Sequence, residues 1–346
     1  MTIKPAHRRI ATITVGVVVL VAFLVAGMTL RVPYVALGAG PTVNTLGDVD
    51  GKPVVQVSGA VDPHPTGHLN LTTVSLHDGL TLFQALSMWA STNYELQPRE
   101  LYYPPDQTVE QVQQQNTAQM SSSETNATMA ALNYLRKPLA VGVEEVGTKS
   151  PAEGKLRPAD RLVSVDGTPV PDPKALAEML AKRRPGDRIA VTVQRGPQQV
   201  TEEITLGARP DDRTRAYLGV TPAMMAADPA INIDFNVGEI GGPSAGLMLT
   251  LAVIDRLTPG NLSGGKFVAG TGTIDPQGKV GTIGGIPHKI QAARDAGATV
   301  FLVPAGNCAA ASADAPDGIE LVKVDTLTQA VDALGDLRTG APRPHC

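Results

Sequence analysis

Gly241-Gly242-Pro243-Ser244-Ala245-Gly246 runs without a break into the apolar stretch Leu247–Leu257, and Thr258-Pro259-Gly260 closes that stretch. The pattern reads as a tight turn entering a buried helix. Ser244 then stands where unpaired N–H groups and the positive end of the helix dipole converge, a place suited to a developing oxyanion. The small neighbours let a substrate backbone approach. The plainer reading makes Ser244 a helix N-cap.

A second turn, Gly284-Gly285-Ile286-Pro287-His288-Lys289, opens another helix, with Pro287 in its first turn and Gly297 past its end. At helical spacing Lys289 shares a face with Ala292, Ala293 and Ala296, opposite Gln291, Arg294 and Asp295. Burial and the dipole both disfavour an ammonium there and lower its pKa. A neutral amine can take the proton of a serine hydroxyl. Read alone, Lys289 also suits a lysine that snorkels to the surface.

Together the two stretches resemble the proteolytic domain of Lon proteases. The resemblance lies in Gly242-Pro243-Ser244-Ala245-Gly246 and in the run from Thr271-Gly272-Thr273-Ile274 through Gly278-Lys279-Val280 to Gly284-Gly285 and Lys289. It covers roughly residues 209–338. It implies Ser244 as nucleophile, Lys289 as general base and Thr271 as the residue that positions the lysine. Gly242, Pro243 and Ala245 would shape the oxyanion and substrate backbone site. The sequence departs from the family at Gly241, where many members carry an acidic residue, and at Pro287 and His288, where many carry charged ones. The family usually forms rings, so the resemblance implies a homo-oligomer.

Residues 1–9 are basic, and Ile10–Leu30 carries no charge; the first acidic residue is Asp48. A helix over residues 10–30 spans roughly 31 Å, the thickness of one bilayer. It is longer than the apolar core of a secretory signal, so an uncleaved signal anchor is expected. The basic flank places the N-terminus in the cytoplasm and the rest of the chain outside. The formal net charge of −4 argues against a general nucleic-acid binder.

Residues 31–137 yield no chemistry. Pro53–Val57 and His68–Leu76 alternate like strands, Thr81–Ser91 reads as a helix, and Thr108–Leu135 as one long or interrupted helix. His64, His68 and His77 lack an acidic or cysteine partner at ligand spacing, and no metal site is assigned. The region is expected to act as a spacer or in oligomer assembly.

Residues 138–208 resemble a PDZ domain, most clearly from Ser150 to Gly167. The expected order is strand 139–145, strand 161–165, helix 173–182, then a hairpin of strands 188–194 and 199–206. Such domains add a peptide as an extra strand and hold its carboxylate with backbone amides. The capturing loop is expected at Leu139-Ala140-Val141-Gly142-Val143, which lacks the usual Gly-Leu-Gly-Phe. A domain used only as a packing spacer is the plainer reading.

The chain thus reads as an α+β multidomain protein: a transmembrane helix, a PDZ-like β-sandwich or barrel domain at 138–208, and a Lon-type α/β proteolytic domain at 209–340. Strands are expected at 216–222, 231–237, 267–272, 299–304 and 319–324, and a final helix at 326–334. Gly260–Phe267 nearly fits a phosphate-binding loop, but Phe267 stands where a magnesium-binding hydroxyl is needed, so no ATP site is assigned. Cys308 and Cys346 either pair or remain thiols. The expected function is a membrane-anchored, extracytoplasmic, ATP-independent serine endopeptidase without cofactor or metal, acting on unfolded or flexible polypeptides. The rival is a membrane-tethered PDZ scaffold or chaperone adaptor with a silent site.

Overall fold

The structure, a computed structural model, describes residues 5–61, 65–238 and 240–346, with side chains of the first helix from residue 12 onward. His64 and Lys4 lie outside the described residues. The helices are α1 (Pro5–Thr29), α2 (Leu82–Trp89), α3 (Val109–Tyr134), α4 (Pro173–Ala181), α5 (Gly246–Leu257), α6 (Ile286–Asp295), α7 (Cys308–Ala313) and α8 (Leu327–Thr339). The main strands are β1 (Tyr34–Asn44), β2 (His68–His77), β3 (Tyr94–Pro98), β4 (Leu139–Val146), β5 (Arg161–Val165), β6 (Arg188–Arg195), β7 (Gln198–Thr205), β8 (Val220–Ala226), β9 (Phe267–Gly270), β10 (Val300–Pro304) and β11 (Glu320–Val324). Thr81 and Thr108 cap α2 and α3, each in a reciprocal capping box with a glutamine three residues on.

Two sheets organise the chain. The first has the order β11-β10-β9-β2-β1-β3. Its β11, β10, β9 and β2 are parallel, and β1 pairs antiparallel with both β2 and β3. Alternate strand residues serve opposite faces. Val268, Val300 and Leu302 join α3, α5 and α8 in one core, while Ala269, Phe301 and Val303 join α6 in another.

This sheet corrects the division of the chain. Residues 31–137 are not a separate spacer: β2 pairs with β9 from His68↔Phe267 to Leu71↔Gly270, and Leu69 and Leu71 are buried in the shared core. The α/β module that carries Ser244 is assembled from residues on both sides of the PDZ-like segment, which is an insertion between α3 and the chain leading to Ser244. The segment also runs past 208. The strand expected at 216–222 is broken: Ala216–Tyr217 pairs with Gly207–Ala208, and Val220–Ala226 forms β8, which pairs with β4 at the edge of the second sheet, whose order is β7-β6-β5-β4-β8. That sheet packs α4 through its own core of Val141, Leu162, Leu176, Val191 and Ile204. Asn232–Phe235 pairs instead with Val55–Ser58.

Helix α1 includes an 18-residue apolar window, Thr12–Thr29, long and apolar enough to cross a membrane. At the other terminus Cys308 and Cys346 form a disulfide across 38 residues. The tail is also held by Arg343 on Glu320 at 2.8 Å and by the bridge Val322↔His345. Cys308→Ala is expected to lower stability by roughly 2–4 kcal/mol. Urea denaturation of oxidised wild type, reduced wild type and variant checks this, and the last two should coincide.

Candidate active site

Ser244 sits in a single turn, Pro243–Ala245, just ahead of α5, all of whose residues are buried. Gly242 enters that turn at φ +89°, a conformation that favours glycine. The turn is held from two directions. On one side, Gly242 N–H donates to the Asn116 carbonyl at 3.0 Å and Ser123 Oγ to the Pro243 carbonyl at 3.2 Å, both from α3. On the other, Gly272 N–H donates to the Ser244 carbonyl at 3.0 Å, and Leu247 N–H returns a bond to Gly272 at 3.1 Å. A Cβ on Gly246 would come within 3.0 Å of both Ile274 and Ser123, so the close approach requires glycine.

Lys289 reaches the turn from the opposite face of the sheet. Gly285 adopts φ +66° as the N-cap of α6, Pro287 follows in the first turn, and the buried face of the helix carries Ile286, Lys289, Ile290, Ala292 and Ala293. Lys289 is 3% exposed. Its Nζ lies 2.7 Å from Ser244 Oγ and 3.1 Å from Thr271 Oγ1. Thr271, just past β9, therefore joins the two faces at the carboxyl end of the parallel strands, the usual position for a site in such sheets. Burial pushes the Lys289 amine down from 10.5 to about 8.

The hydrogen-bond order follows from the donors available. Thr271 Oγ1 donates to the Ser244 carbonyl at 3.2 Å, so its oxygen accepts a hydrogen from Lys289. The lone pair of a neutral Lys289 is then directed at the Ser244 hydroxyl. This arrangement can deprotonate an alcohol without metal or histidine.

The oxyanion assignment needs correction. Gly242 spends its N–H on Asn116, and Pro243 has none, so neither can donate to an oxyanion. Their part is to shape the turn, while Ser244 and Ala245 carry the amides nearest the Ser244 hydroxyl. Asn116 and Ser123 were missed by sequence reasoning, because a serine or asparagine in a long polar helix gives no local signal. Beside the turn lies a groove of about 350 Å³, lined by Ser122, Ser123 and Asn126 of α3 with Pro243, Thr273 and Ile274.

The loop expected to capture peptides, Leu139-Ala140-Val141-Gly142-Val143, also needs correction. It lies within β4, between β5 and β8, paired with β8 from Leu139↔Ala226 to Val143↔Pro222. It presents no open strand edge. The edge strand is β8, entered through Tyr217-Leu218-Gly219-Val220, where the missing Leu-Gly pair stands. The Leu218 and Gly219 carbonyls accept from Ala152 and Gly147, and Gly219 adopts φ +86°. Between this loop and α4 runs a groove of about 300 Å³, lined by Leu176, Ala177, Leu180, Tyr217, Leu218 and Val220.

His68 stacks on Phe267 at 4.4 Å and His77 meets Tyr94 edge-on at 5.6 Å, so both serve packing. Among the described residues no group of three His, Cys, Asp or Glu side chains is arranged to hold a metal ion.

Comparison with known families gives two matches. The PDZ domain family matches residues 109–206, and the Lon protease (S16) C-terminal proteolytic domain matches residues 214–335. The ends differ from the observed packing: α3, inside the first match, packs on α5, and β8, inside the second, belongs to the PDZ sheet. A Lon protease of Phenylobacterium zucineum is 35% identical over 170 residues, 47% of this chain and 21% of that protein. Lon protease 2 of Bacillus subtilis is 34% identical over 115 residues, 33% of this chain and 20% of that protein. The chain thus spans about a fifth of the length of these relatives. The PDZ domain of an SdrC-like protein from Listeria monocytogenes aligns with 24% of this chain and 86% of its own, at 20% identity and a TM-score of 0.23.

Proposed function

We propose that this chain, which joins a PDZ domain to a Lon-type proteolytic domain, is a serine endopeptidase that uses Ser244 and Lys289 and needs no ATP. The observation that carries the reading is the 2.7 Å separation of Lys289 Nζ from Ser244 Oγ inside a pocket that lowers the lysine pKa to about 8. Ser244 Oγ attacks the peptide carbonyl carbon as its proton passes to Nζ. The amides of Ser244 and Ala245 stabilise the oxyanion. Lys289 returns the proton to the departing amine, the C–N bond breaks, and the acyl group stays on Ser244. Water, deprotonated by the same amine, then attacks the acyl carbon, and as the ester C–O bond breaks the proton passes from Nζ to Ser244 Oγ. Thr271 is a positioning residue that holds Nζ. The α3 groove takes the side chains flanking the scissile bond.

The groove between α4 and β8 selects polypeptides by adding them as a strand along β8. Helix α1 anchors the chain with its N-terminus in the cytoplasm. The Cys308–Cys346 disulfide supports an oxidising compartment for the catalytic module. A silent scaffold has no need of a buried lysine in contact with a serine, so the enzyme reading is preferred.

The test is cleavage of an unfolded model protein by the full chain without ATP. Wild type is expected to cleave it, and Ser244→Ala to lose on the order of 10³-fold or more in rate. Full activity in Ser244→Ala sinks the assignment.

A further inference from the structure

We propose that α2 and the turn Arg99–Tyr103 form a lipid-contacting surface, by which the catalytic module rests on the bilayer that α1 enters. The proposal relies on reading α1 as a membrane span. Three backbone hydrogen bonds gather these pieces around the exit of α1. Leu82 N–H donates to Leu30 at 3.1 Å, Val32 N–H to Leu80 at 2.9 Å, and Arg99 N–H to Pro33 at 3.0 Å. Helix α2 then packs on α1 itself. Phe83 meets Phe23 edge-on at 5.6 Å, and its ring occupies the space where Gly27 lacks a Cβ.

The two helices fix a depth. Phe23 lies six residues before Thr29, the end of the apolar window, or about 9 Å below it along the helix. Amphipathic helices that lie in a membrane interface bury their apolar face roughly 5–10 Å into the headgroup and acyl boundary. A helix touching Phe23 therefore falls at that level.

Helix α2 is built to be held from three directions. Ala85 and Met88 turn inward to Ala36, Leu80, Tyr94 and Leu96. Phe83 faces α1. Leu86 and Trp89, at the spacing of one helical face from Phe83, stay 48% and 71% exposed. Leu101, two residues beyond the Arg99 contact with Pro33, is 64% exposed. Arg99 stacks over the Tyr103 ring at 4.6 Å. Exposed tryptophan and leucine beside tyrosine and arginine, at the mouth of a span, match the composition of a membrane interface. In water the same surface would be an unexplained apolar patch.

Trp89 is the only tryptophan in the chain, so it reports on this surface directly. The full chain is reconstituted in phosphatidylcholine–phosphatidylglycerol vesicles, with and without lipids brominated near the top of the acyl chains. Alkaline carbonate extraction is run alongside to test the anchor. The proposal expects a carbonate-resistant protein whose Trp89 emission is quenched by the brominated lipid and protected from acrylamide. Leu86→Glu with Leu101→Glu should lose the quenching and keep wild-type cleavage of a soluble unfolded substrate. A carbonate-resistant protein with acrylamide-accessible, unquenched Trp89 overturns the proposal and leaves the anchor standing. Release by carbonate removes the anchor reading and the proposal with it. Shielding without lipid quenching that fades as protein is diluted in the bilayer assigns the surface to a second copy instead, and also overturns it.

Discussion

Replacing Lys289 by methionine is expected to abolish cleavage and to make the protein more stable at neutral pH. Methionine keeps the length and apolar stem of lysine but has no basic nitrogen, so Ser244 loses its proton acceptor and kcat/KM should fall on the order of 10³-fold or more. The stability gain comes from the same burial. The amine of Lys289 is lowered from 10.5 to about 8 because burial disfavours the ammonium. That difference corresponds to about 3 kcal/mol. Between pH 8 and 10.5 the unfolded chain holds a proton that the folded chain has released, so wild-type stability rises with pH across that window. Below pH 8 the whole cost stands. The advantage of Lys289→Met should therefore reach up to about 3 kcal/mol at pH 7 and shrink towards zero near pH 10.5. Urea denaturation of both proteins at pH 7 and pH 10 measures it. An equal Lys289→Met advantage at the two pH values would show that Lys289 is not held as a buried base. In wild type the active fraction follows the neutral amine, so kcat/KM should rise from pH 7 to 9 with its midpoint near 8. On the proposed reading, the stability cost of burying Lys289 is what keeps a base beside Ser244.

The parts legible in the sequence are those with local signals. Ser244 and Lys289 each follow a glycine turn into a helix, and both helices form where the glycines and proline place them. Thr271 was reached through family resemblance, and it contacts the lysine. The inserted segment's strands and helix at 139–146, 161–165 and 173–181 fall within a residue of the reading, because turn residues bound them. What stayed hidden depends on pairing across long separations. Nothing local in His68–His77 says that it lies beside Phe267–Gly270, so residues 31–137 read as a spacer. Nothing in Val220–Ala226 says which sheet it joins. An alternating strand fits either, and only the tertiary fold sets it against Leu139–Val146. The same blindness misplaced the peptide loop. The two cysteines gave no choice between thiols and a disulfide until the tail was seen to return along β11.

Arg161→Met is expected to cost on the order of 3 kcal/mol and to uncouple the inserted domain from the Ser244 turn. Arg161 belongs to β5 but is 2% exposed at the joint, where the chain leaves β8 for the Asn232–Phe235 strand that precedes Ser244. Its guanidinium donates to four main-chain carbonyls: Ala159 at 2.6 Å, Ala226 at 3.0 Å, Ile231 at 2.7 Å and Asp228 at 3.3 Å. Its neighbour Asp160 is hydrogen-bonded by Arg195 at 2.7 and 2.9 Å, so the direct hydrogen bonds of the Arg161 guanidinium go to main-chain carbonyls. Burial lowers its pKa, against the opposing pull of the Asp228 and Asp160 carboxylates. Methionine fills the volume but leaves buried carbonyls unpaired, and lysine, with one compact ammonium, cannot span four acceptors arranged for a planar fork. Hydrogen exchange should therefore accelerate at residues 226–231 in both Arg161→Met and Arg161→Lys. Cleavage should fall in parallel, because the Ser244 turn is reached through this joint. Unchanged exchange in Arg161→Lys would mean that the charge alone holds the joint and that the fork geometry is incidental. The inserted domain's strand β8 carries the proposed peptide groove on one edge and ends at the carbonyl of Ala226, held by Arg161. Arg161 thus clamps, through hydrogen bonds from β5, the stretch 226–231 of the covalent path that runs from the proposed peptide groove to Ser244.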